Sequence, residues 1–576
     1  MRIFATAGHV DHGKSSLVTA LTGTNPDRWR EERERGMTID LGFAHFTLPS
    51  GREVSLIDVP GHIRFINNML AGVGGIHGAI LVVDAHEGWM PQTEEHLRIL
   101  ELAGTRHGVV VVSRIDLVDD DEAELTALDI RERASGTFLA EASIVKVSTV
   151  RGDGLDDLRR ELDLMMDASP GSIDHGRPRL FVDRVFAPKG SGTVVTGTLT
   201  DGSLSVGDTM TVQPLGREVR VRGIQTHGRV VESIEPGHRV ALNLSGIEHA
   251  EVRRGHAVVR ADEWHSTTVV DTSFTALASL DHDVTRRGAY TMHVGSDEMP
   301  VRLRVLGDES IRPGSLGFIR LHLAEPRPLL MGDRFVIRES GRDETVGGGV
   351  IRDVAPLLTA SRARPLHDDD ANVDRIVAER GWIDAIELRR LTGSSRTPTV
   401  ARWVVDPVVL KATTEWLRSR IAAVGTDGLN VSVLDERERA LLATFTDIQV
   451  TNGFARAKGA DDPLLSHPEI GTIRAGGCAP AAPTVLTNPE LRRLQKAGVL
   501  FERDGEWFHI DALETARIAA AGLLAAHPNG FTMSQFREAL GVTRKHAVPI
   551  ATELDARGIT RRRGDVRIAG PRLTGA

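Results

Sequence analysis

Up to about residue 170, short apolar runs alternate with stretches whose hydrophobic residues recur at helical spacing. Such alternation is typical of a doubly wound parallel sheet, in which helices connect the strands. Each run ends in polar or glycine-containing residues, at the carboxyl edge where sheets of this kind bind ligands. The predicted strands are 3–7, 54–58, 79–84, 108–113 and 143–148, and the first predicted helix contains residues 17–21.

After about residue 172 the pattern changes to short alternating strands separated by glycine turns, at 180–186, 193–199, 209–212 and 219–226. This pattern predicts a small β-barrel, and its repetition from 267 to about 354 predicts a second one. Beyond residue 360, a polar, arginine-containing hinge at 361–370 leads into short helices and brief apolar strands. At 491–500 and 553–560 a helix closed by glycine is followed by an apolar strand, which is typical of winged-helix modules.

Composition limits what these domains can do. The 576 residues carry a net charge of −9, so any contact with nucleic acid has to come from a local basic patch. The single cysteine, Cys478, excludes a disulfide framework within the chain and a multi-cysteine metal site. The N-terminus leads straight into the first strand, and no apolar run reaches ~18 residues. We therefore expect a soluble, cytoplasmic protein without a membrane partner.

The stretch GHVDHGKS, residues 8–15, lies between the first predicted strand and the first predicted helix. A glycine-rich loop in that position points backbone N–H groups inward, and the helix dipole favours a phosphate there. Lys14 is expected to reach the outer phosphates, and the Ser15 hydroxyl to coordinate Mg²⁺. An ordinary glycine-rich turn is the alternative. The predicted nucleotide-binding residues of this loop are Gly8, His9, Val10, Asp11, His12, Gly13, Lys14, Ser15 and Ser16.

Two further segments have the residues of a magnesium–nucleotide site. The predicted strand at 54–58 closes in DVPGH, where Asp58 can hold Mg²⁺ through water and Gly61 can offer its N–H to the terminal phosphate. Thr38, in the loop sequence RGMTI, is placed to complete the Mg²⁺ shell when a γ-phosphate is present. Taken singly, Thr38 is more simply an ordinary surface threonine, but the three segments together favour the site.

Two segments that follow strands are candidates for reading the base. Asp116, in Ser113-Arg114-Ile115-Asp116, can accept from two guanine donors that adenine lacks, and Arg114 can lie over the ring. Ser148 and Thr149 can offer backbone N–H groups to the guanine carbonyl. Taken alone, the Ser113–Asp116 segment is weak evidence for a guanine site, because many loops have an aspartate after a strand.

These motifs, GHVDHGKS, RGMTI, DVPGH and the base-reading elements, together resemble the five nucleotide motifs of translational GTPases similar to elongation factor Tu. The resemblance covers about the first 355 residues. It implies that Ser15 and Thr38 ligate Mg²⁺, that His62 orients the attacking water, and that Val10 and Met37 form an apolar gate. A residue just past the γ-phosphate can position water, although a structural turn histidine is the alternative for His62. Ser113-Arg114 departs from the family, which usually has asparagine and lysine there; serine is too short to copy the asparagine, so guanine selectivity would rest more on Asp116.

Residues of the first barrel resemble a narrower family. Asp183, Arg184 and Arg239 match positions that line the aminoacyl pocket of selenocysteine-specific elongation factors, the SelB family. A selenol is more acidic than a thiol, so selenocysteine is anionic near neutral pH while serine is neutral. Two guanidinium groups would favour the anion and be left unpaired by a neutral side chain. Without the resemblance, ordinary exposed arginines on barrel strands are the simpler interpretation.

The last predicted module is basic. From residue 541 to residue 576 the chain has eight Lys or Arg against three Asp or Glu. A helix is predicted at 531–540, and Thr543 is a candidate N-cap of a recognition helix. A solvated basic tail is the alternative, but GVTRKHAVPI followed by GITRRRGDVR is similar to the terminal module of bacterial SelB, which implies four winged-helix modules and binding of an mRNA hairpin. The predicted RNA-binding residues are Arg544, Lys545, His546, Arg561, Arg562 and Arg563.

The sequence thus predicts a multidomain chain: an α/β P-loop GTPase domain at 1–171, β-barrels at 172–264 and 265–358, winged-helix modules forming a spacer arm at 359–510, and a terminal RNA-binding winged helix at 511–576. The resemblance implies a monomeric GTPase that uses GTP/GDP and Mg²⁺ and delivers selenocysteinyl-tRNA to the ribosome at a recoded UGA. Two alternatives stay open. One is a GTP-switched regulator with DNA-binding winged helices; the other is a general aminoacyl-tRNA carrier with an unrelated tail, against which Arg184 and Arg239 speak.

Overall fold

The computed structural model describes residues 2–573 apart from 27–37, 63–64, 74, 191 and 460–461. The chain divides into two compact units, Met1–Pro398 and Thr399–Ala576. Arg35, Gly36 and Met37 of the RGMTI loop lie outside the described residues, and so does the predicted gate formed by Met37 and Val10. Within the described residues, no helix is both long enough and apolar enough to span a membrane.

The chain up to Ala168 forms an α/β sheet domain. Its strands are β1 Arg2–Ala7, β2 Gly42–Thr47, β3 Glu53–Asp58, β4 Gly78–Asp84, β5 Gly108–Ser113 and β6 Ile144–Val147; its helices are α1 Lys14–Thr22, α2 Ile66–Val73, α3 Pro91–Leu102, α4 Asp120–Arg133 and α5 Leu155–Ala168. The strand order is β2-β3-β1-β4-β5-β6, and the pairs from β3 to β6 are parallel, which confirms the predicted parallel sheet. β2 was not predicted. It runs antiparallel to β3, because a short hairpin connection needs no crossover helix.

The first barrel follows. Its strands are β7 Arg179–Phe181, β8 Arg184–Phe186, β9 Thr193–Thr200, β10 Leu204–Ser205, β11 Thr209–Gln213, β12 Arg217–Thr226, β13 Arg229–Val231, β14 Ser233–Ile234, β15 His238–Ser245 and β16 Ala257–Val259. The order β11-β16-β7-β9-β15-β12 is closed by pairing of β11 with β12. The predicted single strand at 180–186 is wrong: it is split into β7 and β8. Between them the Val182 N–H donates to His256 O while the Asp183 N–H donates to Thr196 O, so neighbouring residues bond to different strands.

The second barrel is closed, in the order β17-β22-β20-β19-β23-β24, and inward-facing apolar residues such as Phe274, Ile319 and Ile337 are fully buried. Its strands are β17 Ser266–Ala276, β18 Val284–Thr285, β19 Tyr290–Val294, β20 Asp297–Leu306, β21 Ser310–Ile311, β22 Leu316–Pro328, β23 Arg334–Glu339 and β24 Glu344–Asp353. Unit one ends with α6 Asp369–Arg380, β25 Trp382–Asp384 and α7 Ala385–Thr392. The predicted hinge is ordered at its end, because Asp368 caps α6 by accepting the Ala371 N–H and Asn372 donates to Arg352 O.

Unit two consists of helices, two of which are longer than 15 residues, and short β-strands. Its elements are β26 Trp403–Val405, α8 Pro407–Val424, β27 Leu429–Asn430, α9 Glu436–Leu442, β28 Ile448–Thr451, β29 Phe454–Ala457, α10 Pro468–Ala475, α11 Asn488–Lys496, β30 Leu500–Arg503, β31 Glu506–His509, α12 Asp511–Ala526, β32 Phe531–Thr532, α13 Met533–Leu540, α14 Arg544–Ala556, β33 Thr560–Arg563 and β34 Val566–Ala569. The predicted turns at Gly498 and Gly558 follow α11 and α14, with φ of +75° and +73°. The fold class predicted from the sequence is confirmed.

Two details of the last module differ from the prediction. The predicted helix at 531–540 begins only at Met533, because Thr532 and Gln535 form a capping box and Phe531 pairs with Arg567 in the sheet. The strand after Gly558 is not apolar. In β33 Thr560 is buried and the three arginines that follow are exposed, so this strand forms a basic hairpin with β34.

Candidate functional site

The loop at residues 8–15 packs tightly against its surroundings. A Cβ on Gly8 would lie 2.1 Å from the Val82 carbonyl oxygen on β4, and Gly8 has φ +132°. A Cβ on Gly61 would lie 2.4 Å from Lys14 Nζ. Only glycine allows this approach, so DVPGH lies directly against the loop and the two predicted segments form one site.

Lys14 opens α1 and its side chain is buried beneath the loop. Its Nζ donates to Gly8 O at 3.0 Å and to His9 O at 2.5 Å. Burial lowers the pKa of Lys14 to about 8, and the carboxylates of Asp58 and Asp11 oppose that shift. The ammonium group therefore lies in surroundings where an additional negative charge would stabilise it strongly.

Three oxygen-bearing side chains come together beside Lys14. Ser15 Oγ lies 2.7 Å from Thr38 Oγ1 and 2.7 Å from Asp58 Oδ2. The other oxygen of Asp58 accepts from Thr6 Oγ1 at 2.7 Å, which fixes the carboxylate. Two hydroxyls and one carboxylate, all oxygen donors, fit the ligand preference of Mg²⁺. Thr38 is buried, so the interpretation of it as an ordinary surface threonine does not hold.

Helix α3 supplies two contacts that the sequence analysis missed. His96 Nδ1 accepts the Gly8 N–H at 3.1 Å, and Gln92 Oε1 accepts the Val10 N–H at 3.2 Å. Burial lowers the pKa of His96 to about 3, so this histidine is a neutral acceptor. His12 is similar: its Nδ1 accepts the Asp84 N–H, and burial lowers its pKa to about 4. The spacing of Gln92 and His96, four residues apart on one helix face, was the signal available in the sequence.

His62 follows Gly61 and is partly exposed. Its ring centroid lies 5.9 Å from that of Phe65. Since Gly61 abuts Lys14, the His62 backbone lies at the edge of the phosphate-facing loop. That position is compatible with a side chain that orients a water molecule there.

The two base-reading segments lie next to each other. Asp116 Oδ1 accepts from Ser148 Oγ at 2.6 Å, and this bond lowers the pKa of the partly exposed Asp116 carboxyl. The Ser148 N–H, which the sequence analysis assigned to the guanine carbonyl, donates to Asp153 O within its own loop. Among the described residues, no backbone–backbone hydrogen bond is donated by the Thr149 N–H.

Strand β5 ends in contacts to the phosphate-facing loop. Ser113 Oγ donates to His12 O at 2.7 Å, so its short side chain reaches the loop. Arg114, with φ +56°, donates from Nη1 to Asp84 Oδ2 at 3.1 Å.

On the first barrel, Asp183, Arg184 and Arg239 lie together. Arg239 Nη2 donates to both carboxylate oxygens of Asp183, at 2.9 and 3.0 Å. Thr196 Oγ1 donates to the same carboxylate at 2.5 Å. Both guanidinium groups lie over the ring of Phe43 on β2, with their Cζ atoms 3.4 Å (Arg239) and 4.8 Å (Arg184) from its centroid. Phe43 was not among the predicted pocket residues.

The basic residues of the last module form two groups. Lys545 Nζ lies 2.8 Å from Glu506 Oε1, and His546 Nε2 lies 4.0 Å from Glu506 Oε2, so both face the preceding β30–β31 hairpin. Arg544 and the three arginines of β33 are exposed, and none of them makes an ion pair within the described residues. Arg562 Nε donates to Gly564 O within the hairpin.

Comparison with known proteins assigns the domains. The family Elongation factor Tu GTP binding domain matches residues 1–168, Elongation factor Tu domain 2 matches residues 192–259, and Elongation factor SelB, winged helix, matches residues 522–569. The selenocysteine-specific elongation factor of Escherichia coli K12 is 30% identical over 98% of this chain and 98% of its own length. That of Desulfomicrobium baculatum is 40% identical over 61% of this chain, which spans only 55% of that relative.

Two solved structures of related factors are similar to this chain. The crystal structure of a bacterial selenocysteine-specific elongation factor, EF-Sec, superposes with a TM-score of 0.75 at 27% identity, covering 99% of both chains. That of SelB from Methanococcus maripaludis with the GTP analogue GppNHp superposes with a TM-score of 0.54 at 25% identity, covering 62% of this chain and 80% of that one.

A glycine-rich loop between β1 and α1 of a parallel α/β sheet, followed by two β-barrels and matched by the elongation factor Tu families, defines a translational GTPase. The terminal module and the full-length match narrow this class. The chain belongs to the family of selenocysteine-specific elongation factors.

Proposed function

We propose that this GTPase delivers selenocysteinyl-tRNA to the ribosome at a recoded UGA codon while its last module holds a hairpin in the mRNA. The observation that supports this best is the proximity of Arg184, Arg239 and Asp183 over Phe43. The three charged groups lie together where the first barrel meets β2 of the α/β domain, and a selenolate is the side-chain anion that distinguishes selenocysteine from serine. Its place of action would be the cytoplasm, where we expect it to act as a monomer.

In the GTP site, Lys14 would bind the outer phosphates, and Ser15 and Thr38 would ligate the metal, with Asp58 holding it through water. Mg²⁺, when bound, neutralises charge that develops on the phosphates. Gly61 would donate its N–H to the terminal phosphate, and His62 would hold the attacking water in line. Asp116 would read guanine, with Ser113, Arg114, Ser148 and Thr149 shaping the base site. The remaining loop residues, His9 and Asp11 to Gly13 and Ser16, would surround the phosphates.

The function is tested by binding, with GTP present and at fixed salt, to one tRNA charged either with selenocysteine or with serine. We expect a preference of at least about 100-fold for the selenocysteine form, because a charged hydrogen bond contributes about 1.5–3 kcal/mol and the proposed pocket contains two arginines. Equal affinities would exclude the pocket, and binding to a duplex DNA site without any tRNA requirement would favour the DNA-binding regulator instead.

The depressed pKa of Lys14 predicts a pH dependence of nucleotide binding. In the free protein Lys14 loses its proton as the pH rises through about 8. Bound phosphates would raise its pKa, so binding above pH 8 must take up a proton and the affinity must fall as the pH rises. Linkage gives an uptake of about 0.9 proton at pH 9 and about 0.1 at pH 7. Titration calorimetry of Mg²⁺-GDP binding in two buffers of different ionisation enthalpy measures this uptake, and a value near zero at pH 9 would contradict the prediction.

The two groups of basic residues in the last module are predicted to differ in RNA binding. Alanine in place of Arg561, Arg562 or Arg563 should weaken hairpin binding and lower the slope of log K against log salt by about one for each phosphate that is no longer neutralised. Lys545→Ala is the matched control, because Glu506 already pairs with Lys545. Filter binding of the full chain to the mRNA hairpin at several salt concentrations measures both; equal effects would mean that the Glu506 pair opens on binding.

A further inference from the structure

A short segment of the α/β domain, residues 39–43, lies between the predicted metal ligands and the aminoacyl pocket. Asp40 Oδ2 accepts from Arg184 Nη2 at 3.0 Å, and Arg184 Nη2 also donates to Leu41 O. Asp40 Oδ1 lies 3.9 Å from Arg254 Nη1 of the first barrel. The segment therefore contacts a pocket arginine directly, with a carboxylate two residues after Thr38.

The same segment is held on its other side by α2. Asn68 Nδ2 donates to Ile39 O at 2.8 Å, and Asn68 Oδ1 accepts from Arg254 Nη1 at 2.7 Å. Thr38, next in the chain, contacts Ser15 at the predicted metal site. A continuous series of contacts thus runs from the metal-ligand hydroxyls to Arg184, within three residues of chain.

Asp40 leaves part of the Arg184 guanidinium available. Within the described residues, both hydrogen bonds of Arg184 are donated by Nη2. The guanidinium plane is held by this end and by the ring of Phe43, so Nε and Nη1 can donate to an anionic ligand in a fixed direction. Holding an arginine in advance lowers the conformational entropy that binding must remove.

We infer that Asp40 is a positioning residue of the aminoacyl pocket: it orients Arg184 across the interface between the α/β domain and the first barrel. This inference rests on the proposed function. Because Asp40 follows Thr38 so closely, placement of Thr38 by Mg²⁺ and the γ-phosphate sets the position of Asp40. A change in the placement of Thr38 would therefore reach Arg184 through Asp40, so the Asp40 contact is expected to matter more with GTP than with GDP.

The test compares binding of selenocysteinyl-tRNA and seryl-tRNA by the full chain, with GTP and with GDP, for the natural protein and for Asp40→Asn. We expect Asp40→Asn to weaken selenocysteinyl-tRNA binding about ten-fold with GTP, the effect of losing one charge-assisted hydrogen bond. Its effect with GDP, and on seryl-tRNA with either nucleotide, should be less than about two-fold. Asp208→Asn is the matched control, since it breaks the Asp208–Arg260 pair on the same barrel, and it should change neither affinity.

A double variant shows whether Asp40 acts through Arg184. Asp40→Asn combined with Arg184→Ala should bind selenocysteinyl-tRNA no more weakly than Arg184→Ala alone. Additive losses would overturn the inference, as would unchanged binding by Asp40→Asn. Tighter binding by that variant would make Asp40 a competitor of the selenolate, and an equal loss for seryl-tRNA would reduce it to an interface residue. If the natural protein itself shows no preference for the selenocysteine form, the proposed function fails instead.

Discussion

Replacing Arg239 by alanine is expected to weaken selenocysteinyl-tRNA binding about 100-fold while changing seryl-tRNA binding less than about three-fold. Two causes act together. The selenolate loses a guanidinium partner, and Asp183, whose side chain is 9% exposed, is left without the arginine that pairs with it, 17% exposed. The freed carboxylate then repels the anion inside a poorly hydrated pocket.

Equilibrium binding to the two charged tRNAs, with GTP present, measures this selectivity. Arg260→Ala is the control, because Arg260 pairs with Asp208 on the same barrel. Asp183→Asn combined with Arg239→Ala separates the two causes: it removes the repulsive charge and should recover part of the lost affinity. An equal loss for both tRNAs would show that Arg239 supports only the barrel.

Replacing His62 by alanine is expected to slow ribosome-stimulated GTP hydrolysis by about 10²- to 10⁴-fold, the range that a positioned proton-handling or water-orienting group contributes. GTP affinity should change less than about three-fold, because Gly61 and Lys14, not the partly exposed His62, line the phosphate-facing loop. Single-turnover hydrolysis on programmed ribosomes, together with equilibrium GTP binding, separates the two effects.

His62→Gln is the informative companion variant, since a glutamine can also orient an attacking water. It should restore part of the rate, whereas Phe65→Leu, which alters only the neighbouring ring, should have a small effect. A rate unchanged in His62→Ala would mean that the water is held by another group.

The nucleotide site could be predicted from the sequence because its residues lie in short segments at the ends of consecutive strands. In a parallel sheet those ends share one edge, so Lys14, Ser15 and Asp58 had to come close once the strand order placed β1 beside β3. The polar ring of contacts behind the loop could not be predicted in the same way. His96 and Gln92 became loop acceptors only because α3 packs against β1 and β4, and their four-residue spacing shows only that they share a helix face.

The pocket on the first barrel was also predicted only in part. The sequence located Asp183, Arg184 and Arg239 by family resemblance, and their pairing follows from β8 and β15 lying on either side of β9. That Arg184 would pair with Asp40, and that Phe43 would lie under both arginines, depended on how the barrel docks on the α/β domain. Likewise the pairing of Lys545 with Glu506 needed two separate segments to meet.

The sequence by itself therefore determined most of the elements, the domain types and the chemistry of the short motifs, because backbone propensity and hydrophobic periodicity act over a few residues. The tertiary structure alone decided which charges are neutralised and which arginines stay available for a ligand. An ion pair depends on distances between side chains that can be more than a hundred residues apart, and only the packed interfaces set those distances.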